Sequence, residues 1–259
     1  MSSEKRTVLI TGASAGIGQA FAEVFAAQAW DLVVTARRRD RLDALARALG
    51  ERHGARVHVV TADLADRNAG EQIAASVARA GLRIDGLVNN AGYAVPAKYR
   101  SSTWQQQADF IQVMVTAVAE LTHRFLPGMV ERKYGRIVNI ASVLGLLPGA
   151  STGHTLYGPA KAFVVRFSQA LSTEVYKHGV HVTAVCPGFT HSEFHDVSNT
   201  RDQVKGYPRP MWMDAATVAR QGYDASMRGD IVYVNGWLNW GITSVAKVIP
   251  EELLMKMVR

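Results

Sequence analysis

The chain has 259 residues, 48% hydrophobic and 20% charged, and its 29 Lys+Arg against 22 Asp+Glu give a formal net charge of +7. This apolar content excludes a disordered chain and can fill a sizeable core. The lone cysteine, Cys186, excludes an internal disulfide and points to a reducing compartment. From the N-terminus, Met1 to Thr7 is polar and lacks the apolar stretch of a signal peptide, so a cytoplasmic location is expected. Val8 to Ile10 reads as a first strand, ending in Thr11-Gly12, and Ala15 to Ala29 as a helix. Leu32 to Val34 is a second strand. Asp40 then looks like the N-cap of a helix that stops near Gly50. Val57 to Val60, a helix near Gly70 to Ala80, and Ile84 to Val88 follow. A long helix is expected from about Thr103 to Glu131, then a strand at Arg136 to Ile140 and a helix from about Leu156 to Lys177. Val180 to Val185 is the sixth strand. Asp214 caps a helix ending at Gly229, and Ile231 to Val234 is the seventh strand.

Short apolar strands separated by helices predict a doubly wound, Rossmann-type α/β fold: about seven parallel strands with helices on both faces. Without linker, repeat or low-complexity tract, residues 1–259 are expected to form a single domain. No apolar run of about 18 residues exists, so no transmembrane segment is expected. The tail from about residue 235 to 259 is apolar and basic and is expected to form a helix packed on the domain or on a partner subunit, the alternative being a membrane-surface contact. Pro250-Glu251-Glu252 opens a last helical turn or two there.

The turn Thr11-Gly12-Ala13-Ser14-Ala15-Gly16-Ile17-Gly18 joins a strand to a helix. Gly12, Gly16 and Gly18 allow a tight turn and a close approach to a diphosphate, which the N–H groups at the helix start bind. A dinucleotide fold selecting NAD places an acidic residue at the end of the second strand. Here the sequence is Ala36-Arg37-Arg38-Arg39. Guanidinium groups pair with a 2′-phosphate, so NADP(H) is the expected cofactor, through Arg37 and Arg38. Asp63, after the third strand, is placed to accept from the adenine amino group or to cap its own loop.

Tyr157 and Lys161 are four residues apart and share a helix face. A nearby ammonium favours the phenolate, and a tyrosine so poised can give or take a proton. Ser142 follows the fifth strand, at the carboxyl edge where doubly wound sheets form their ligand crevice.

Five motifs in order make the chain resemble the short-chain dehydrogenase/reductase family over about residues 5 to 235. They are TGASAGIG (Thr11 to Gly18), Asp63, NNAG (Asn89 to Gly92), Ser142 with YGPAK (Tyr157 to Lys161), and Pro187-Gly188. The LPGM segment, Leu126 to Met129, is similar to that of NADP-preferring ketone reductases of the short type. The resemblance implies that Tyr157 is the general acid in reduction and the base in oxidation. Lys161 would hold the nicotinamide ribose and depress the Tyr157 pKa, and Ser142 would hydrogen-bond the substrate oxygen. Asn89, Asn90, Ala91 and Gly92 would close the fourth strand and pack beside the adenosine ribose, and Pro187, Gly188, Thr190 and Ser192 would line the nicotinamide end. Ser14, Ile17 and Leu64 complete the expected cofactor contacts. It also implies a homodimer or homotetramer built on the two long helices.

Two departures from the pattern stand out. Met114 occupies the position of a family Asn whose backbone carbonyl helps to hold a water near the Lys. A thioether keeps only the backbone part of that role. The interval from Ser142 to Tyr157 is also about two residues longer than the pattern, with the extra length between Gly149 and Thr155. His154 there reads as a loop residue.

Residues 189 to 213 form the expected substrate flap, with Phe189, Phe194, His195, Tyr207, Pro208, Pro210, Met211, Trp212 and Met213. Tyr93, Val95, Leu144 and Leu146 should face the same crevice. Tyr93, Leu144, Phe189, Phe194 and Trp212 are the substrate candidates, and such a lining suits a bulky apolar or aromatic carbonyl compound or alcohol. His191 and His195 have a ligand-like spacing without accompanying carboxylates, so no metal is expected. The basic residues form no stripe interleaved with aromatics, so no nucleic acid is expected. The sequence therefore reads as an NADPH-dependent carbonyl reductase. The alternative is a low-turnover NADP(H)-binding regulatory or scaffold protein, motivated by Met114.

Overall fold

The computed structural model describes residues 5–95, 97–147, 155–194, 211–246 and 248–249. Runs rich in Val, Ile and Leu form short strands wherever both sheet faces are to be covered. In chain order these are β1 (Thr7–Thr11), β2 (Asp31–Ala36), β3 (Val57–Thr61), β4 (Gly86–Asn89), β5 (Gly135–Ile140), β6 (Val180–Cys186), β7 (Phe189–His191), β8 (Trp212–Asp214) and β9 (Val232–Val234). Seven of them pair in parallel, in the order β3-β2-β1-β4-β5-β6-β9. The order reverses between β1 and β4, and ligands bind outside the carboxyl ends of strands at such a switch point.

The helices are α1 (Gly16–Ala27), α2 (Arg39–His53), α3 (Ala69–Arg79), α4 (Trp104–Ile111), α5 (Ala117–Glu131), α6 (Tyr157–Val175), α7 (Ala215–Arg228) and α8 (Trp237–Ala246). Alternation along β1 sends Val8 and Ile10 to one side and Leu9 to the other. On the first side they join Phe21 and Phe25 of α1 and Val218 and Tyr223 of α7. The Phe25 ring meets Tyr223 edge-on, with centroids 4.9 Å apart. On the second side Leu9 packs with Ile73 of α3, Leu121 of α5 and Leu171 of α6.

Two expectations need amendment. Asp40 is not an N-cap: α2 starts at Arg39, Arg38 holds the extended cap position, and Asp40 lies within the first turn. The segment after β6 is not wholly irregular, because β7 and β8 pair in parallel and set Phe189 beside Trp212. The long fourth helix runs through to Glu131 as expected. Thr103 and Gln106 form a capping box ahead of it, and a π-helical turn at Gln112–Thr116 lies between α4 and α5. The tail carries a helix packed on the domain, α8, buried through Asn239, Thr243 and Ala246. The Asp214 cap of α7 is present, its carboxylate accepting from the Thr217 N–H at 2.7 Å. The expectations for residues 149–154, His195, Tyr207, Pro208, Pro210 and the turn at Pro250 lie outside the described residues. Among the described residues no helix is long and apolar enough to cross a membrane.

Candidate active site

The glycine turn is shaped by its neighbours. Thr11 Oγ1 accepts from the N–H groups of Asn90 and Ala91, each at 3.0 Å, and the Asn90 amide donates to the Thr11 carbonyl at 2.9 Å. Gly12 has φ +66°, and a Cβ there would come within 2.9 Å of Ala91 Cα. A Cβ on Gly18 would lie 2.4 Å from the Gly12 carbonyl oxygen. The backbone therefore folds on itself as only glycine allows. At the start of α1 the N-cap is Ala15, with no side-chain acceptor, and the first turn holds no acidic residue. Its first N–H groups have no side-chain cap and no carboxylate of their own turn, which is the arrangement that receives a diphosphate.

At the end of β2, Arg38 turns back over this turn, donating to Ser14 Oγ from NH2 at 3.0 Å and from Nε at 3.3 Å. It also pairs with Glu193 at 2.9 Å. Asp63 Oδ1 accepts from the Ala65 N–H at 3.0 Å, so it braces its own loop while lining the same cavity.

The proton-transfer corner lies at the end of β5. Ser142 precedes a short 3-10 turn, Val143–Gly145, and accepts from the Leu144 N–H at 3.2 Å. A Cβ on Gly145 would lie 2.6 Å from the Lys161 carbonyl carbon, so this turn rests directly on the α6 backbone and holds Ser142 against Tyr157. Lys161 is buried and donates from Nζ to the Ile140 carbonyl at 2.7 Å, and its Nζ is 5.7 Å from the Tyr157 ring centre. Burial pushes the Tyr157 phenol up to about 12, with the Ser142 hydrogen bond pulling the other way. Burial pushes the Lys161 ammonium down to about 8. The expected lowering of the phenol by the ammonium is therefore not what the corner shows: loss of hydration disfavours both charged forms.

A cavity of about 1030 Å³ joins these parts. It brings together Gly12, Ser14, Gly16, Ile17, Arg37, Arg38, Asp63, Leu64, Ala91 and Gly92 at one end. At the other it holds Ser142, Tyr157, Lys161, Pro187, Gly188 and Thr190, with Tyr93, Leu144, Phe189 and Phe194, while Ser192, expected at the nicotinamide end, lies against Gly16 of the glycine turn. Several expected residues stand apart from its lining. Gly18 packs against Gly12 instead. Asn89 is buried, donating to Asn139 Oδ1 at 2.8 Å and Thr122 Oγ1 at 3.2 Å, so it links β4 to β5 and α5. Trp212 stacks on Phe189 and His191 at 5.3 and 4.8 Å, because the β7–β8 pairing lays these rings along one another. Val95 and Leu146 also turn into apolar clusters. Gly145, Glu193, Asn239 and Ile242 take part although nothing in the sequence signals them, because they depend on contacts with other elements of the fold.

Met114 is buried against Val95, Phe110 and Ala160. It sits inside the π-helical turn, a local widening of the helix that recurs at functional sites. Among the described residues no group of three or more His, Cys, Asp or Glu could hold a metal ion.

Comparison with known proteins agrees with this geometry. The sequence model of the family described as short chain dehydrogenase matches residues 6–203. The chain is 38% identical over 192 residues to serine 3-dehydrogenase of Agrobacterium fabrum, which is 73% of each chain. A short-chain dehydrogenase of Sphingobium yanoikuyae, solved in complex with NADPH, is 32% identical, with a TM-score of 0.82 over 98% of this chain and 96% of that one. The bulky-bulky ketone specific alcohol dehydrogenase of Comamonas testosteroni is 29% identical, with a TM-score of 0.78 over 98% and 95%. The parallel sheet with its glycine turn, the Ser142, Tyr157 and Lys161 corner and this extent of sequence match lead to one assignment: the chain belongs to the short-chain dehydrogenase/reductase family.

Proposed function

We propose that the protein is an NADP(H)-dependent carbonyl reductase, reversibly an alcohol dehydrogenase, acting on bulky apolar or aromatic ketones and the matching secondary alcohols. The observation that carries this reading is the sharing of one cavity by Ser142, Tyr157 and Lys161 with the glycine turn and Arg38. The residues fit the cofactor: the uncapped start of α1 suits the diphosphate, and Arg38, anchored on Ser14, suits a 2′-phosphate. The NADPH complex of the Sphingobium relative supports the same assignment.

When bound, the nicotinamide supplies or accepts the hydride. The protein's own groups do the rest. The Ser142 hydroxyl orients the substrate oxygen beside the phenol. Tyr157, held protonated by its burial, donates its proton to that oxygen during reduction. Lys161, with its ammonium behind the phenol, stabilises the phenolate left behind and would hold the nicotinamide ribose hydroxyls.

On the substrate side, Tyr93, Leu144, Leu147, Phe189, Phe194 and Ile242 line the cavity. This lining favours a bulky apolar substituent over a small charged one, and the ketone specificity of the Comamonas relative supports it. We further propose a cytoplasmic, single-domain protein that forms a homo-oligomer; the exposed rings of Trp104 and Phe163 on α4 and α6 support the last of these. A second reading, a low-turnover NADP(H)-binding regulator, is favoured by one observation, Met114 within the π-helical turn.

The test is NADPH oxidation by the purified protein over a panel of ketones. Aryl and branched ketones are expected to react faster than acetone or a small hydroxy-acid precursor, and NADPH faster than NADH. No cofactor oxidation with any of them refutes the reductase reading.

A further inference from the structure

Glu193 lies just beyond β7, where the chain leaves the nicotinamide end and crosses the glycine turn. Its neighbour Ser192 is so close to that turn that a Cβ on Gly16 would lie 3.0 Å from Ser192 Cβ. The Glu193 carboxylate reaches two guanidinium groups from the start of α2: Oε2 is 2.9 Å from Arg38 NH1 and Oε1 is 2.6 Å from Arg41 NH1. Arg38 is the side chain already anchored on Ser14. A carboxylate supplied from more than 150 residues away therefore sits on the arginine assigned to the 2′-phosphate. It draws a second arginine, Arg41, to the same point.

We propose that Glu193 is an internal counter-ion of the 2′-phosphate site, displaced from Arg38 and Arg41 when a phosphate monoester binds there, and that it thereby tunes the preference for NADP(H) over NAD(H). The proposal rests on the assignment of Arg38 to the 2′-phosphate. All three side chains are about two-fifths exposed, so the pairs exchange partners readily. A phosphate with nearly two negative charges and three acceptor oxygens is a stronger guanidinium ligand than a carboxylate. A cofactor with a free 2′-hydroxyl offers no such charge and leaves Glu193 in place. The two guanidinium groups already hold the Glu193 carboxyl below the usual carboxylate range, Arg41 foremost. Arg41 joins Arg38 as a determinant of specificity.

Calorimetric titration of the full-length protein with NADPH and with NADH tests this. Glu193→Gln keeps the shape and removes the charge. It is expected to tighten NADPH binding by about fivefold and to leave NADH binding unchanged. Unchanged or weaker NADPH binding overturns the proposal, as does an equal gain for both cofactors. Arg38→Ala separates the two levels of the argument. If it keeps the full preference for NADPH, the assignment of Arg38 itself fails. If it abolishes the preference while Glu193→Gln changes nothing, only the role of Glu193 fails.

Discussion

At the glycine turn the limiting contact is between backbone atoms: a Cβ on Gly18 would lie 2.4 Å from the Gly12 carbonyl oxygen. At the proton-transfer corner the limiting feature is buried charge, with Lys161 packed against the Ile140 carbonyl and the Tyr157 phenol behind it. One end of the cavity is built by volume and the other by desolvation. Substitutions at the first should act through shape at any pH, and substitutions at the second through protonation.

The largest effect that sharpens this contrast is expected from Gly18→Ala. Overpacking against backbone costs about 1–3 kcal/mol of stability, and NADPH affinity should fall by about 100-fold because the turn that carries the diphosphate must shift. Urea denaturation and calorimetric titration measure the two. An alanine accommodated with unchanged affinity breaks the claim that volume governs this end.

Lys161→Met probes the other end. The folded chain holds the Lys161 proton less tightly than the unfolded chain, its pKa lowered from 10.5 to about 8 by burial. Between those values the unfolded state binds more protons, so Lys161 makes stability rise with pH through this window, by about 3 kcal/mol at most. Lys161→Met should flatten the rise in denaturation curves taken at about pH 8 and about pH 10. An equally steep rise in the variant contradicts the desolvation account.

The smallest effect is expected from Met114→Asn. An amide in the π-helical turn restores a strong acceptor and donor beside the corner, and a several-fold gain in kcat, with NADPH affinity unchanged, is the reductase expectation. No gain favours the regulatory reading.

The same contrast explains what could be read from sequence. The seven-stranded sheet and the glycine turn were legible because apolar runs and glycine spacing are local records of burial and backbone geometry. Arg38 was legible because the β2 end lacks a carboxylate. Asp40 misled because Asp is a common N-cap, yet α2 begins one residue before it. Asn89 and Asn90 are adjacent and chemically identical, and only pairing of β4 with β1 and β5 shows which one braces the turn. Trp212, Gly145 and Glu193 depend on partners in other elements of the fold, for which local pattern has no signal.

The central claim is that Tyr157 delivers a proton to a carbonyl oxygen in the cavity it shares with the glycine turn. The direct measurement is the rate of NADPH oxidation with an aryl ketone for wild type and for Tyr157→Phe, with NADPH binding titrated for both. The account predicts a loss of about 10³-fold in rate with NADPH affinity retained. A Tyr157→Phe variant that turns over at the wild-type rate would contradict it.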